Sequence, residues 1–312
     1  MIEKITEENL LIYKKRISFY NNYSFIREID SEVLFKAAVL EPAIQNINDE
    51  SCHIIEIIIE KCKHLFVFKK QLWESDYFGF SCFSVEYVLF THDDYKILHK
   101  ALNAFIESSL QPNSYLTINV PTEDTILIQA LGFTGFVLVE TRLNYFIKLN
   151  QNHDLQNIGN IKEAGLEDIP YLRAVAMKMK NKYDRVHADP AFSEEEADQY
   201  LAKFVEESIK GFADIVLKVV NDKDIPFGFL AGNNPIKISE FYVSKLVLAA
   251  VDSFIQKGRL FDLLTEMMYR VKSKKADYLT TITQAANFPA IRVWEKSGFS
   301  LFKVTHLFSI KK

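Results

Sequence analysis

Residues 282–301 read ITQAANFPAIRVWEKSGFSL. The stretch begins inside YLTTITQ, residues 278–284, whose alternation of β-branched residues predicts a strand. NFPAIRVWEKS then places Ala290, Val293 and Trp294 on one helical face. Pro289 suits the first helical turn, where its missing N–H costs little. Gly298 suits the turn that ends the helix, and Phe299 leads into a second strand, SLFKVTHLFSI.

Working outward, the same strand–helix–strand pattern occurs earlier. Residues 115–136, YLTINVPTEDTILIQALGFTGF, align with 278–299 at an offset of 163 without a gap. Tyr115, Leu116 and Thr117 match Tyr278, Leu279 and Thr280, and Gly135-Phe136 match Gly298-Phe299. Asp124 stands where Asn287 stands. Identities at both ends of an ungapped window predict an internal duplication. Between the copies, 148–160 (KLNQNHDLQNIGN) is polar, Asn-rich and aperiodic, and reads as a linker. Two domains are expected, 1–150 and 151–312.

Composition bounds the functional classes. The chain has 312 residues, 48% hydrophobic and 25% charged, with a formal net charge of −4. These values fit a soluble globular protein and give no bulk attraction to nucleic acid or an anionic membrane. Three cysteines, Cys52, Cys62 and Cys82, fit a reducing cytoplasm better than a disulfide framework. The N-terminus, MIEKITEENLLIYKK, lacks the basic-then-apolar order of a signal peptide. No apolar run approaches the roughly 20 residues of a membrane span. A cytoplasmic location is expected. Cys52, His53, Cys62 and His64 have the residue types of a zinc site but not its spacing. IIEIIIEKCK between them reads as helix-like, so ordinary packing and no metal are expected.

The second half reads β-α-α-β-β-β-α-β-α-β. IKEA starts it, LEDIPYLRAVAMKM and SEEEADQYLAKFVEESIKG form helices, and Ser193 caps the second, with Gly211 at its end. DIVLKVVND, IPFGFLAGNN and ISEFYVSKLVLAAVD are three strands. KGRLFDLLTEMMYRVKSKKA is a long amphipathic helix. Where the strand ending near Val251 meets that helix, Gln256, Lys257 and Gly258 form a loop. A helix N-terminus offers unpaired N–H groups and a positive dipole end, which suits phosphate. Gly258 admits close backbone approach, and Lys257 and Arg259 add charge. A simple turn is the competing reading of the same residues.

The junction, followed about 25 residues later by YLTTITQ and N-x-x-A-x-x-x-W-E-K-S-G-F, resembles the acyl-CoA N-acyltransferases of the GNAT superfamily. That resemblance implies an α/β (α+β) fold of tandem GNAT-like domains. Each copy would be a mixed, mostly antiparallel sheet flanked by helices, with a degenerate N-terminal copy and a CoA-binding C-terminal copy. It implies that acyl-CoA is the co-substrate, with its pantetheine arm along Leu248, Ala249 and Val251. Gln256, Lys257, Gly258, Arg259, Leu260 and Phe261 would hold the pyrophosphate, and Asn287 the pantetheine. The sequence departs from the family at two places. The loop motif Q/R-x-x-G-x-G/A is here Ile255-x-x-Gly258-x-Leu260. The family's Tyr, which often protonates the leaving thiolate, is Trp294. An indole N–H donates a hydrogen bond but does not usefully give up its proton. A thiol of pKa near ~8.5 leaves readily as thiolate, so transfer need not depend on that acid. Core packing is the other reading of Trp294.

LWESDYFG at 72–79, RVHADPAFSEEEADQYLAKFVEESIKG at 185–211 and TQAANFPAIRVWEKSGF resemble, in order, segments of GNAT enzymes that acylate nucleotide-linked amino sugars. This implies transfer of an acetyl group from acetyl-CoA, or a 3-hydroxybutanoyl group from 3-hydroxybutanoyl-CoA, to a dTDP-linked 3- or 4-amino-dideoxyhexose. Such reactions serve bacterial surface polysaccharide synthesis, in a monomer or homodimer. Arg185 is then a candidate for a nucleotide phosphate and His187 for general base. Asp189, Thr283 and Gln284 are candidates for placing the sugar, and Trp73 and Tyr77 for stacking on it. Helix capping and core packing are the alternative roles for His187, Asp189, Trp73 and Tyr77. The implied mechanism is direct attack of the amine on the thioester, with a backbone N–H near Val251 stabilising the oxyanion. The rival readings are a GNAT enzyme acting on another amine and a CoA-binding chain without turnover.

Overall fold

A computed structural model describes residues 5–149, 160–178, 181–252 and 258–312. The first half supplies strands β1 (Cys52–Ile59), β2 (Cys62–Lys70), β3 (Ser81–Leu89), β4 (Ser114–Pro121) and β5 (Val137–Lys148). The second supplies β6 (Ile161–Glu163), β7 (Ile215–Val220), β8 (Pro226–Gly232), β9 (Ile236–Ile238), β10 (Phe241–Val251), β11 (Tyr278–Gln284) and β12 (Ser300–Lys311). The chain divides into two compact units, Met1–Arg142 with Lys303–Lys312, and Leu143–Phe302. Most of the stretch read as a linker, 150–159, lies outside the described residues.

In the second unit the strand order is β5-β11-β10-β8-β7-β6, with β9 on β10. Neighbours from β10 through β6 are antiparallel, and β10 and β11 are parallel. The helix Arg259–Ser273 buries Leu263, Leu264, Met267 and Val271 against Leu217, Phe227, Leu230 and Leu279. These positions follow the i, i+4 spacing that makes one apolar face. On the other face, Leu172, Val175, Ala176 and Val205 pack on Phe229. They come from helices Ile169–Lys178 and Glu194–Glu207, the second opened by a Ser193–Glu196 capping box. The expected strand ISEFYVSKLVLAAVD is β10, and its first residues form the turn of a hairpin with β9, Ile236–Ile238. Ser239 at φ 54° makes its turn.

In the first unit β1-β2-β3-β4-β12 are neighbours in that order. β12 reaches β4 through Thr305↔Pro121 to Lys311↔Tyr115. The helix-like reading of IIEIIIEKCK is overturned, because β1 and β2 form a hairpin across Ile59↔Cys62. Glu60 and Lys61 both have positive φ, 51° and 69°, as a two-residue hairpin turn requires. Five β-branched isoleucines favour the strand. The same hairpin places Cys52 opposite Lys69 and His64 opposite Ile57, so the four cysteine and histidine residues do not converge. Among the described residues, no three His, Cys, Asp or Glu side chains are grouped to hold a metal, and no helix is long and apolar enough to cross a membrane.

The aligned windows have matching geometry. Asp124 (φ −86°, ψ 65°) accepts from Leu127 N and caps Thr125–Thr134, and Asn287 (φ −85°, ψ 65°) accepts from Ala290 N and caps Phe288–Lys296. Gly135 and Gly298 follow those helices at φ 87° and 88°. Residues 5–48, part of the first 70 or so for which the sequence offers no motif, include short helices whose Leu10, Ile17, Val39 and Ala43 cover β2 and β3. From them Arg16 enters the interior, 3% exposed. It donates to Asp124 Oδ1 at 2.7 Å and to the His92 carbonyl at 2.9 Å, and lies over Phe90.

Candidate active site

β10 and β11 pair only from Val243↔Tyr278 to Lys245↔Thr280. Beyond that point β10 follows β8 to Val251↔Gly228, while β11 runs on to Gln284. A bulge between Leu246 and Leu248 marks where β10 turns away. The two strands therefore splay, and a cavity of about 590 Å³ opens between them.

The walls follow from local sequence. Leu246–Val251 of β10 forms one side and Thr281–Gln284 of β11 the other. The first turn of the Arg259–Ser273 helix, Gly258–Phe261, closes one end. Asn287, Ala290, Val293 and Trp294 close the face.

Backbone direction is fixed by one bond. Asp252 N donates to Phe227 O at 2.8 Å, so residue 252 turns its polar groups toward β8. In an antiparallel pair the next residue turns its groups away. The N–H and C=O of Val251 and Ala249 therefore face the gap between the splayed strands. Val251 packs closely on Gly228, where an added Cβ would sit 2.9 Å from Val251 Cγ2 and 3.2 Å from its Cα.

Gly258 has φ 83°, the left-handed region, and open space where a Cβ would stand. It sits at the N-cap without a side-chain cap. Arg259 lines the cavity and pairs with Asp262 at 2.5 Å, and its buried Nε has no hydrogen-bond partner. Trp294 is 4% exposed, lines the cavity, and its buried indole N–H likewise has no partner. An orphaned buried donor is costly unless a ligand satisfies it.

Asn287 is engaged in capping: its Oδ1 accepts from Ala290 N at 3.3 Å. Its amide donates to Gln284 Oε1 at 3.4 Å, and Asn181 donates to the same oxygen at 2.9 Å.

The structure thus brings together Leu248, Ala249, Val251, Gly258, Arg259 and Leu260 with Phe261, Thr283, Gln284, Asn287 and Trp294. Gln256 and Lys257 lie outside the described residues. Arg185, His187 and Asp189 are not in the cavity wall. Arg185 donates to Tyr200 Oη at 3.0 Å, and Asp189 is buried and caps the turn at Ala191. His187 is 5% exposed at its side chain, with Nδ1 2.7 Å from Asp184 Oδ2 and Nε2 2.9 Å from Asp198 Oδ1. Both ring nitrogens thus face carboxylates of this chain. His187 in this geometry ties the Arg185–Ala188 turn to the Glu194–Glu207 helix. Trp73 and Tyr77 belong to the first unit and stack on each other at 5.8 Å.

Sequence reading missed Gly228, the Val247 bulge, and the polar residues Lys178, Asn181 and Asp252 at the strand ends. The one available signal was Asp252, the first charge after an apolar run.

No protein-family model matches the sequence, and no curated protein matches it. Solved structures do. A GCN5-related N-acetyltransferase from Sphaerobacter thermophilus is 10% identical over 88% of this chain and 85% of its own, with a TM-score of 0.51. A tandem GNAT protein from the clavulanic acid biosynthesis pathway is 11% identical over 97% of this chain and 95% of its own, with a TM-score of 0.50. With the repeated caps, the repeated left-handed glycines and the splayed strands, these likenesses give the chain its fold: two tandem GNAT-like copies, each a largely antiparallel sheet flanked by helices.

Proposed function

We propose that the chain is an acyl-CoA-dependent N-acyltransferase whose C-terminal copy does the chemistry. The observation that carries this is the gap between β10 and β11, lined by backbone N–H and C=O groups of Ala249 and Val251 and by the partnerless indole N–H of Trp294. An extended amide-bearing arm fits such a gap, because it completes the strand edge as a neighbouring strand would. The helix N-terminus at Gly258–Phe261 is the matching place for a phosphate. The residues present thus fit an acyl-CoA.

In the reaction, a neutral amine attacks the thioester carbon while both substrates are held in place, which is mostly catalysis by positioning. The Val251 N–H faces the gap and receives the developing oxyanion. Trp294 donates to the leaving sulfur and stabilises the thiolate without supplying its proton. No group of this chain needs to form a covalent intermediate.

The acceptor we assign is a dTDP-linked 3- or 4-amino-dideoxyhexose, and the acyl group acetyl or 3-hydroxybutanoyl. The support is the ordered resemblance of residues 72–79, 185–211 and 283–299 to enzymes of that chemistry. Purified protein mixed with acetyl-CoA or 3-hydroxybutanoyl-CoA and each amino sugar should release thiol only with its own sugar. Release with simple amines but no sugar contradicts the acceptor. Acyl-CoA binding without release in any mixture contradicts the enzyme reading.

A further inference from the structure

Asp252 follows Val251 directly, at the end of β10. Its side chain is 5% exposed, and its Oδ2 lies 2.5 Å from Nζ of Lys178, whose side chain is 53% exposed. Strand alternation puts Leu248, Ala250 and Asp252 on one face. Leu248 and Ala250 pack on the cluster of the Ile169–Lys178 helix, whereas Ala249 and Val251 pack on the opposite core, with Leu263, Leu264 and Trp294. The ion pair therefore lies across the sheet from the helices that wall the cavity, one residue from the Val251 N–H. Three residues after Lys178, Asn181 reaches Gln284 at the end of β11. Lys178 and Asn181 thus touch residues at the ends of both splayed strands, Lys178 from the face opposite the cavity helices. A second substrate would have to approach from this face. A primary amine, that of Lys178, already stands there against a buried carboxylate.

We propose that Asp252 is the carboxylate that holds the acceptor amine, and that Lys178 is acylated by its own chain when acyl-CoA is bound without another acceptor. This rests on the acyl-CoA reading of the cavity. Asp252 takes one proton from the Lys178 ammonium and passes it to water. The freed nitrogen lone pair attacks the thioester carbon, the C–N bond forms and the C–S bond breaks. The second proton goes to the departing thiolate. The products are an amide on Lys178 and free thiol. The modified side chain has lost its charge and its hold on Asp252. Lys178 thus competes with any external amine for the same carboxylate.

The test uses the full chain with acetyl-CoA alone, followed by peptide mass spectrometry. Lys162 is the internal control, because it is 51% exposed and paired with Asp224 at 2.8 Å, but on β6. Lys178 should be acetylated roughly tenfold faster than Lys162, the order of advantage a held nucleophile gains at the least. In Asp252→Asn the advantage should vanish. Equal labelling of Lys178 and Lys162 in the unmodified chain, with acetyl-CoA binding confirmed by calorimetry in the same sample, overturns the proposal and leaves the acyl-CoA reading standing. Absence of binding overturns both. The comparison within the unmodified chain decides the matter even if Asp252→Asn fails to fold.

Discussion

Val251 is held in place by a side chain that is absent across the strand pair. Gly228 leaves room for it, and a Cβ there would press on both its side chain and its Cα. Gly228→Ala should move the Val251 N–H away from the oxyanion and cut kcat by roughly 10- to 100-fold, since small misplacements at a reacting centre cost that much. Acetyl-CoA affinity should change far less, and steady-state kinetics beside calorimetry would separate the two. Trp294→Phe keeps an aromatic ring but removes the indole donor and part of the ring volume. It should lower acyl transfer by about tenfold, the value of roughly one hydrogen bond. At this scale the sequence spoke clearly where one residue type has one physical use: Ser193 as a cap and Gly298 as the turn that ends a helix. It did not show Asn287 as a cap, having given that residue only to the pantetheine. It was silent on Gly228, because a glycine inside a strand signals close packing without saying against what. It did not show the surroundings of His187, since Asp198 meets the ring only through the fold.

The elements show where periodicity runs out. IIEIIIEKCK has apolar residues on every side, a pattern that a buried helix and a two-sided strand share. The Glu60-Lys61 turn decided the matter, and neither residue is a strong turn former. Burial of charge was equally hidden. Arg16 and Asp124 are 3% and 0% exposed and form an ion pair between the N-terminal helices and the Asp124 cap. Burial raises the pKa of the Asp124 carboxyl, and Arg16 pulls it back. Arg16→Met should cost about 3–5 kcal/mol in denaturant unfolding by stranding a buried charge. Adding Asp124→Asn should recover most of that, because Asn287 shows that an asparagine makes the same cap. No recovery would mean that packing, not charge, dominates. Nearby, His64 Nδ1 bonds the Ile57 carbonyl at 3.2 Å and Asp94 N donates to His92 Nδ1 at 3.1 Å. This leaves His92 Nε2–H to donate to His64 Nε2 at 2.7 Å, and the three bonds together need both rings neutral. Burial lowers both pKa values below the ordinary 6.5. Groups with lowered folded pKa refuse protons that the unfolded chain accepts, so stability is retained above pH 6.5 and lost as pH falls below it. Thermal unfolding should show this acid loss, and His92→Gln should flatten it. An unchanged slope would assign the loss to other groups.

At the scale of the whole molecule, two copies of one fold have taken different courses. In the second, the strand end and the capping asparagine leave a cavity between them. In the first, Arg16 joins the equivalent points, from Phe90 and the His92 carbonyl just past β3 to Asp124 at the cap. The duplication was legible in an ungapped offset of 163 residues. The role of residues 5–48 was not, because filling a cleft depends on which side chains meet and not on any local pattern. Nor was the grouping of Lys303–Lys312 with the first unit, since strand pairing is chosen by tertiary contacts. With the proposed function, this difference predicts one acyl-CoA site per chain. The most direct measurement is a calorimetric titration of the full chain with acetyl-CoA, repeated on Ala290→Phe, which fills the cavity from the Phe288–Lys296 helix. One equivalent bound per chain, lost in Ala290→Phe, is the predicted result. Binding that survives Ala290→Phe unchanged, or no binding at all, would contradict the assignment of the gap between β10 and β11 as the acyl-CoA site.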